Sequence, residues 1–105
     1  MAKVTVTGYE ISCDPGIQNI TPYSGSIDVK DIEPDMDVEK VIDNPWWRGS
    51  IACKFKKLTF VELRENGAVF RYGDRDIFVE FGKSEKVEEV GLSYAYAELY
   101  VGIEQ

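Results

Sequence analysis

The side chains of this chain that could carry out chemistry are mainly carboxylates and tyrosines. Its 105 residues include 19 acidic and 12 basic side chains and no histidine, which gives a formal net charge of −7 at neutral pH. Without histidine, Ser-His and Cys-His nucleophile pairs and histidine-ligated metal sites are excluded. The chain also lacks the side chain that most often transfers protons near neutral pH. The composition therefore favours binding over catalysis.

Three pairs of carboxylates are close enough in sequence to divide acid and base roles, namely Asp35 with Asp37, Asp74 with Asp76, and Glu88 with Glu89. None of these pairs lies in a catalytic motif. The acids between Asp35 and Glu39 are spaced as in a calcium loop, but Lys40 stands where such a loop requires glycine. The sequence also contains no glycine-rich phosphate loop and no nucleophile elbow. We therefore predict that the protein is not an enzyme and uses no metal or cofactor.

The five acids that we single out for partner binding belong to a strongly acidic segment. Residues 28–43 hold seven acids and two bases, residues 48–75 carry a net charge of +4, and residues 80–105 carry −4. If these blocks occupy different surfaces, the acidic segment can steer the protein toward a basic partner. The alternative is that the acids only keep the protein soluble and monomeric. The candidates are Asp31, Glu33, Asp35, Asp37 and Glu39.

Two adjacent tryptophans and an arginine follow the acidic segment, at Trp46, Trp47 and Arg48. Neighbouring side chains on an extended chain face opposite ways, so one indole is expected near the surface. An exposed tryptophan beside arginine is typical of residues that dominate the energy of an interface. The alternative is that both rings cover the core.

A row of tyrosines near the end of the chain provides the last candidates, Tyr94, Tyr96 and Tyr100. They alternate with Ala95, Ala97 and other apolar residues, so a strand would place them together on one face. Such a face can bind a protein partner or stack against bases, but it can also be a second buried face. Direct nucleic-acid binding is disfavoured by the overall acidity of the chain.

The hydrophobic pattern is that of β-strands. Val4 and Val6 alternate with polar residues, and the apolar positions then change phase at Gly8, which predicts a β-bulge there. The uncharged residues 17–26 are expected to run as a loop over the surface. Residues 35–43 are expected to form a short helix of two turns, because acids precede the apolar residues and an Asn-Pro pair follows them.

The dipeptide Asn66-Gly67 lies between two apolar runs and predicts a hairpin with a type I′ turn. This register would pair Leu63 with Phe70 on one face and Glu62 with Arg71 on the other. The last run, up to Glu104, also has the alternation of a strand, although a helix is an alternative.

Together these elements predict one mainly β domain over residues 1–105. We expect a small barrel or sandwich of about six or seven mostly antiparallel strands with the one short helix. No stretch has the composition of a membrane span or a secretory signal, so a cytoplasmic protein without membrane contact is expected.

These observations favour a small acidic protein that acts by stoichiometric protein-protein interaction. It would be an inhibitor or adaptor that occupies a basic, nucleic-acid-binding surface of its partner. The hypothesis rests on an analogy of charge and size with small acidic proteins of mobile elements and viruses. One alternative is a self-assembling structural subunit of a virion or other assembly. Another is a β-barrel that binds a ligand or a nucleic acid.

Overall fold

A computed structural model describes residues 1–14, 17–42, 55–91 and 95–105, with the backbone alone at residues 13, 14 and 17–19. This part of the chain forms seven strands, which are β1 (Lys3–Asp14), β2 (Ile17–Asp28), β3 (Leu58–Arg64), β4 (Gly67–Tyr72), β5 (Arg75–Glu80), β6 (Ser84–Gly91) and β7 (Ala95–Glu104). The first sheet has the order β2-β1-β7-β6, and the second has the order β3-β4-β5. All neighbouring strands within the two sheets are antiparallel. The mainly β fold and its strand number are therefore confirmed.

The core lies between the two sheets. Alternate residues of β1 and β7 point inward and join residues of β3, β4 and β5 in one buried apolar cluster. Burial of this apolar surface is the main favourable contribution to folding. Its fully buried members include Val4, Val6, Leu99, Val101 and Ile103 of the first sheet, and Leu58, Ala68, Phe70 and Val79 of the second.

The last apolar segment of the sequence forms the strand β7 and not a helix, which agrees with the preference of tyrosine and valine for strands. In β7, the residues from Ala95 to Ile103 at odd positions are buried, whereas Tyr96 and Tyr100 are half-buried on the other face. That face is the outer face of the first sheet, because β7 lies between β1 and β6 and its other face meets the core.

The β-bulge predicted at Gly8 is wrong. The pairing of β1 with β7 runs without a shift from Lys3 opposite Glu104 to Ser12 opposite Ala95. Gly8 faces the core together with Val4 and Val6, and Tyr9 therefore lies on the outer face. The phase change in the sequence arises because apolar residues move from the inner to the outer face of one regular strand.

The loop expected at residues 17–26 is also wrong, because these residues belong to β2. All twelve residues of β2 pair with β1, from Ile17 opposite Asp14 to Asp28 opposite Lys3. Polar residues fit here because β2 is an edge strand with one face toward solvent.

The hairpin is present, but its turn and register differ from the prediction. Arg64 pairs with Gly67, so Glu65 and Asn66 form the turn, and neither Asn66 nor Gly67 has the positive φ of a type I′ turn. Phe60 lies opposite Phe70, with their ring centroids 5.8 Å apart. The strand pairing shifts between Phe60 and Glu62.

In place of the two-turn helix expected at residues 35–43, the described residues 35–42 form one 3₁₀ turn, Val38–Val41, and residue 43 lies outside the described part of the chain. A separate 3₁₀ turn, Val29–Asp31, follows β2 directly. Val38 and Ile42 are both buried in the core, and Ile42 is extended. Anchoring at both ends leaves room for one turn, and the β-branched residues give little intrinsic support for a longer helix.

Within the described residues, no helix is long and apolar enough to cross a membrane.

Candidate functional site

The outer face of the first sheet carries a cluster of tyrosines around one carboxylate, which we call the tyrosine cluster: Tyr9, Tyr96, Tyr100 and Glu98. Glu98 of β7 lies opposite Tyr9 of β1 on one side and opposite Glu89 of β6 on the other. Tyr96 and Tyr100 flank Glu98 on its own strand, two positions away in each direction, which places them on the same face.

All three tyrosine hydroxyls donate hydrogen bonds to the Glu98 carboxylate. The hydroxyls of Tyr9 and Tyr100 both donate to Oε1, the latter over 2.9 Å, and the Tyr96 hydroxyl lies 2.7 Å from Oε2. The rings of Tyr9 and Tyr96 are tilted by 46° to one another, with centroids 6.4 Å apart. These hydrogen bonds hold the three rings in place around Glu98.

Glu98 is only 7% exposed although it lies on the outward face of the sheet. The hydrogen bonds from Tyr9 and Tyr96 favour its ionised form and lower its pKa to about 2. In return, the carboxylate disfavours the tyrosinate, and its hydrogen bond raises the pKa of Tyr9 to about 12. The pKa of Tyr100 is raised for the same reason. The cluster consequently keeps one negative charge and three neutral phenols at physiological pH.

A second carboxylate and a lysine adjoin the tyrosine cluster on β6. Glu89 Oε2 lies 2.7 Å from the Tyr96 hydroxyl and 2.9 Å from Lys86 Nζ. Tyr96 has one hydroxyl proton, so Glu89 and Glu98 share it. The two hydrogen bonds lower the pKa of Glu89, and its carboxylate raises the pKa of Lys86. Lys86 Nζ is also 3.5 Å from Glu98 Oε2.

A groove of about 570 Å³ extends the outer face from the tyrosine cluster toward β2. Hydroxyl-bearing side chains supply much of its lining, which includes Thr7, Tyr9, Ser24, Ser84 and Tyr100. Tyrosine and serine are also the residues that prevail in antibody binding loops, where tyrosine supplies contact area at a low cost in conformational entropy.

Of the aromatic candidates predicted from the sequence, Tyr96 and Tyr100 belong to this cluster. The other three aromatic candidates, Trp46, Trp47 and Tyr94, lie outside the described residues, as does the candidate Arg48.

The acidic segment lies elsewhere in the fold. Its Val38 and Ile42 are buried between the sheets, so the segment packs on the core side of the first sheet, opposite to Tyr96 and Tyr100. The prediction that acids and tyrosines both contact a partner thus describes two separate surfaces.

The five acids of this segment have different roles in the fold. Asp37 Oδ1 accepts hydrogen bonds from the backbone N–H groups of Glu39 and Leu58, both over 3.2 Å, so it ties the 3₁₀ turn to β3. Asp35 has a positive φ of 65° and pairs with Lys57 over 3.1 Å. Glu39 is half-buried, whereas the remaining two, Asp31 and Glu33, are exposed.

Three described bases of residues 55–75 form ion pairs with acids. Lys57 pairs with an acid of the acidic segment, Arg71 Nε lies 2.8 Å from Asp76 Oδ1, and Arg64 pairs with Glu62. Strand pairing places Arg71 opposite Asp76, whereas the pair of Lys57 with Asp35 joins the basic block to the acidic segment.

A second cleft, of about 440 Å³, lies between the sheets beside Lys86. The hydroxyl of Tyr72 donates to Glu88 Oε2 over 3.1 Å and accepts from the backbone N–H of Lys56 over 2.8 Å. Burial is the main reason that the pKa of Tyr72 is raised to about 12. The Arg75 guanidinium donates to the carbonyl of Val87 over 2.6 Å. Among the described residues, no three His, Cys, Asp or Glu side chains form a group that could hold a metal ion.

Sequence reasoning did not select Tyr9, Lys86 or Glu98, and it considered Glu89 only as a possible acid or base beside Glu88. If the alternation of β1 had been continued through Gly8 without a bulge, Tyr9 would have been predicted on the face of the strand that points away from Val4 and Val6. This was the sequence signal that could have identified Tyr9 as a residue of the outer face. The pairing of β1 with β7 brings Tyr9 to Glu98, 89 positions away in the sequence.

Comparison with protein families, with curated proteins and with solved structures gives no match for this chain.

Proposed function

We propose that the protein binds a basic protein partner stoichiometrically and that the outer face of the first sheet is its interface. The tyrosine cluster carries the proposal, because it presents three fixed aromatic rings around a carboxylate that stays charged. Rigid tyrosines lose little conformational entropy on binding, and they are enriched among residues that dominate interface energies.

The charge of the surface supports a basic partner. Glu89 and Glu98 outnumber Lys86 at the cluster, and the chain as a whole has a net charge of −7. Complementary charge speeds association and disfavours acidic competitors. A protein that covers a basic surface in this way acts as an inhibitor of whatever that surface would otherwise bind, or as an adaptor.

The test compares two charge reversals, Glu89→Lys at the cluster and Glu80→Lys on β5 of the second sheet. Both glutamates are exposed, and each forms an ion pair with a lysine three positions away in the sequence. Glu80 pairs with Lys83, and Glu89 pairs with Lys86. A partner is isolated from host extract at low salt, purified, and titrated against the wild type and both variants by calorimetry. We expect one-to-one binding and a loss of at least about tenfold in affinity for Glu89→Lys alone.

Equal losses of affinity for the partner in Glu89→Lys and Glu80→Lys would show that the outer face is not the interface. Failure to recover a partner at low salt would contradict the proposal as a whole. Light scattering of the purified protein tests the structural-subunit alternative, because growth of assemblies with concentration would identify a second copy as the partner.

A further inference from the structure

Lys86 places a cation within the acidic part of the outer face. Its Nζ lies 2.9 Å from Glu89 Oε2 and 3.5 Å from Glu98 Oε2, and its strand position is opposite Tyr100. The side chain is 46% exposed. An ammonium group thus occupies a position bordered by two carboxylates and a tyrosine, at the end of a flexible side chain that solvent can reach.

The Glu98 carboxylate already has donors at both of its oxygens. A carboxylate offers about four lone-pair positions, two on each oxygen. On Glu98, Tyr9 and Tyr100 donate to Oε1, Tyr96 shares its proton between Oε2 and Glu89, and Lys86 Nζ lies 3.5 Å from Oε2. The three tyrosines are held on Glu98 by hydrogen bonds, whereas the Lys86 side chain contacts Glu98 only through a longer ion pair of 3.5 Å. A cation that bridges Glu89 and Glu98 would therefore compete with Lys86 for both carboxylates.

We propose that an arginine side chain of the partner binds at this position and displaces Lys86. This inference rests on the proposed function, because it specifies the chemistry by which the outer face recognises a basic partner. A planar guanidinium can bridge Glu89 and Glu98 with several donors and can stack on a tyrosine ring, whereas an ammonium is a point charge. Lys86 is then an internal competitor that weakens binding.

The experiment measures binding of a peptide of alternating arginine and glycine, by fluorescence anisotropy at low salt, to the wild type, Lys86→Met and Lys83→Met. Lys83 is the matched control, since it is exposed and pairs with Glu80 over 3.1 Å, three positions away, as Lys86 does with Glu89. Both variants change the net charge equally. We expect Lys86→Met to bind the peptide about two- to fivefold more tightly than Lys83→Met, the range that loss of one exposed ion pair implies. Circular dichroism verifies that both variants are folded.

Equal affinities of the two variants would overturn the inference, and so would absence of peptide binding by every variant. A lysine-glycine peptide serves as the second probe. If Lys86→Met gained as much affinity for that peptide as for the arginine peptide, the assignment to arginine would be wrong. The proposed function is tested separately, by the affinities of Glu89→Lys and Glu80→Lys for the purified partner. The results with the peptides do not determine the result of that experiment.

Discussion

Glu98 lies on the outward face of the first sheet and is nevertheless shielded from solvent. A charge in such a position is tolerated only when hydrogen bonds compensate its loss of hydration. Three tyrosine hydroxyls provide that compensation, and the pKa of the carboxyl group falls to about 2 as a result. The same contacts hold the rings in place, so the stability of the sheet and the shape of its outer face depend on one side chain.

Glu98→Gln is expected to destabilise the protein by about 1–2 kcal/mol at neutral pH, because hydrogen bonds to a charged acceptor are replaced by weaker ones. The pKa of Glu98 is lower in the folded state, at about 2, than its ordinary value of 4.5. Its stabilising contribution is therefore complete above about pH 4.5 and is lost as the pH falls toward 2. The stability gap between wild type and variant should narrow over this range.

Urea unfolding of both proteins at pH 7 and pH 3 measures this gap. Glu85→Gln, at an exposed position of the neighbouring strand, is the control and should change the stability little at either pH. A gap of the same size at both pH values would contradict the assigned role of the Glu98 charge.

The hairpin of β3 and β4 shows how a third strand can override local turn chemistry. Gly67 is buried in β4, where a Cβ atom would lie 2.1 Å from the carbonyl oxygen of Val79 in β5. The backbone N–H of Phe81, just after β5, donates to the carbonyl of Asn66 over 3.1 Å. Gly67 is thus required for the close packing of β4 against β5. Because Gly67 belongs to β4, the turn consists of Glu65 and Asn66 instead of Asn66 and Gly67.

Gly67→Ala is expected to destabilise the protein by about 2 kcal/mol or more, because the added methyl group forces β4 and β5 apart. Gly91→Ala in β6 is the matched control, since a Cβ there would lie 3.6 Å from the Tyr96 ring, an ordinary contact. Denaturant unfolding compares the two variants with the wild type. A Gly67→Ala variant as stable as Gly91→Ala would show that the two backbones are not in close contact.

Acidic and basic side chains of the molecule form ion pairs with one another, but the acidic side chains outnumber the basic ones by 19 to 12. Ion pairs neutralise several charges of the second sheet and its neighbouring residues, whereas Asp31 and Glu33 of the acidic segment are exposed. Charges outside an interface act over a Debye length of about 10 Å at 0.1 M salt, and they change the rate of encounter more than the lifetime of the complex.

The double variant Asp31→Asn, Glu33→Gln should slow association with the basic partner by about two- to threefold at low salt and leave dissociation unchanged. Glu89→Lys, within the proposed interface, should instead speed dissociation. Surface plasmon resonance over a salt series measures both rates. A faster dissociation of the double variant would place the acidic segment inside the interface.

Several features could be predicted from the sequence because they depend on neighbouring residues. Alternation in β7 placed Tyr96 and Tyr100 on one face opposite the alanines, and the hairpin was recognised from its turn residues. The register of that hairpin could not be predicted, since the contact of Gly67 with Val79 belongs to a different strand. The role of Asp37 was missed for a similar reason, because one of its donors is the backbone of Leu58, 21 positions away.

The sequence alone determined that the chain is mainly β, that it has about seven strands, that it is acidic and that its last strand has a tyrosine face. These properties follow from composition and from the two-residue period of a strand, which are local. Only the tertiary structure decided that Tyr9 and Glu89 meet Glu98 and that the acidic segment lies on the other side of the sheet. Strand order and register are set by packing between distant segments, which no local pattern specifies.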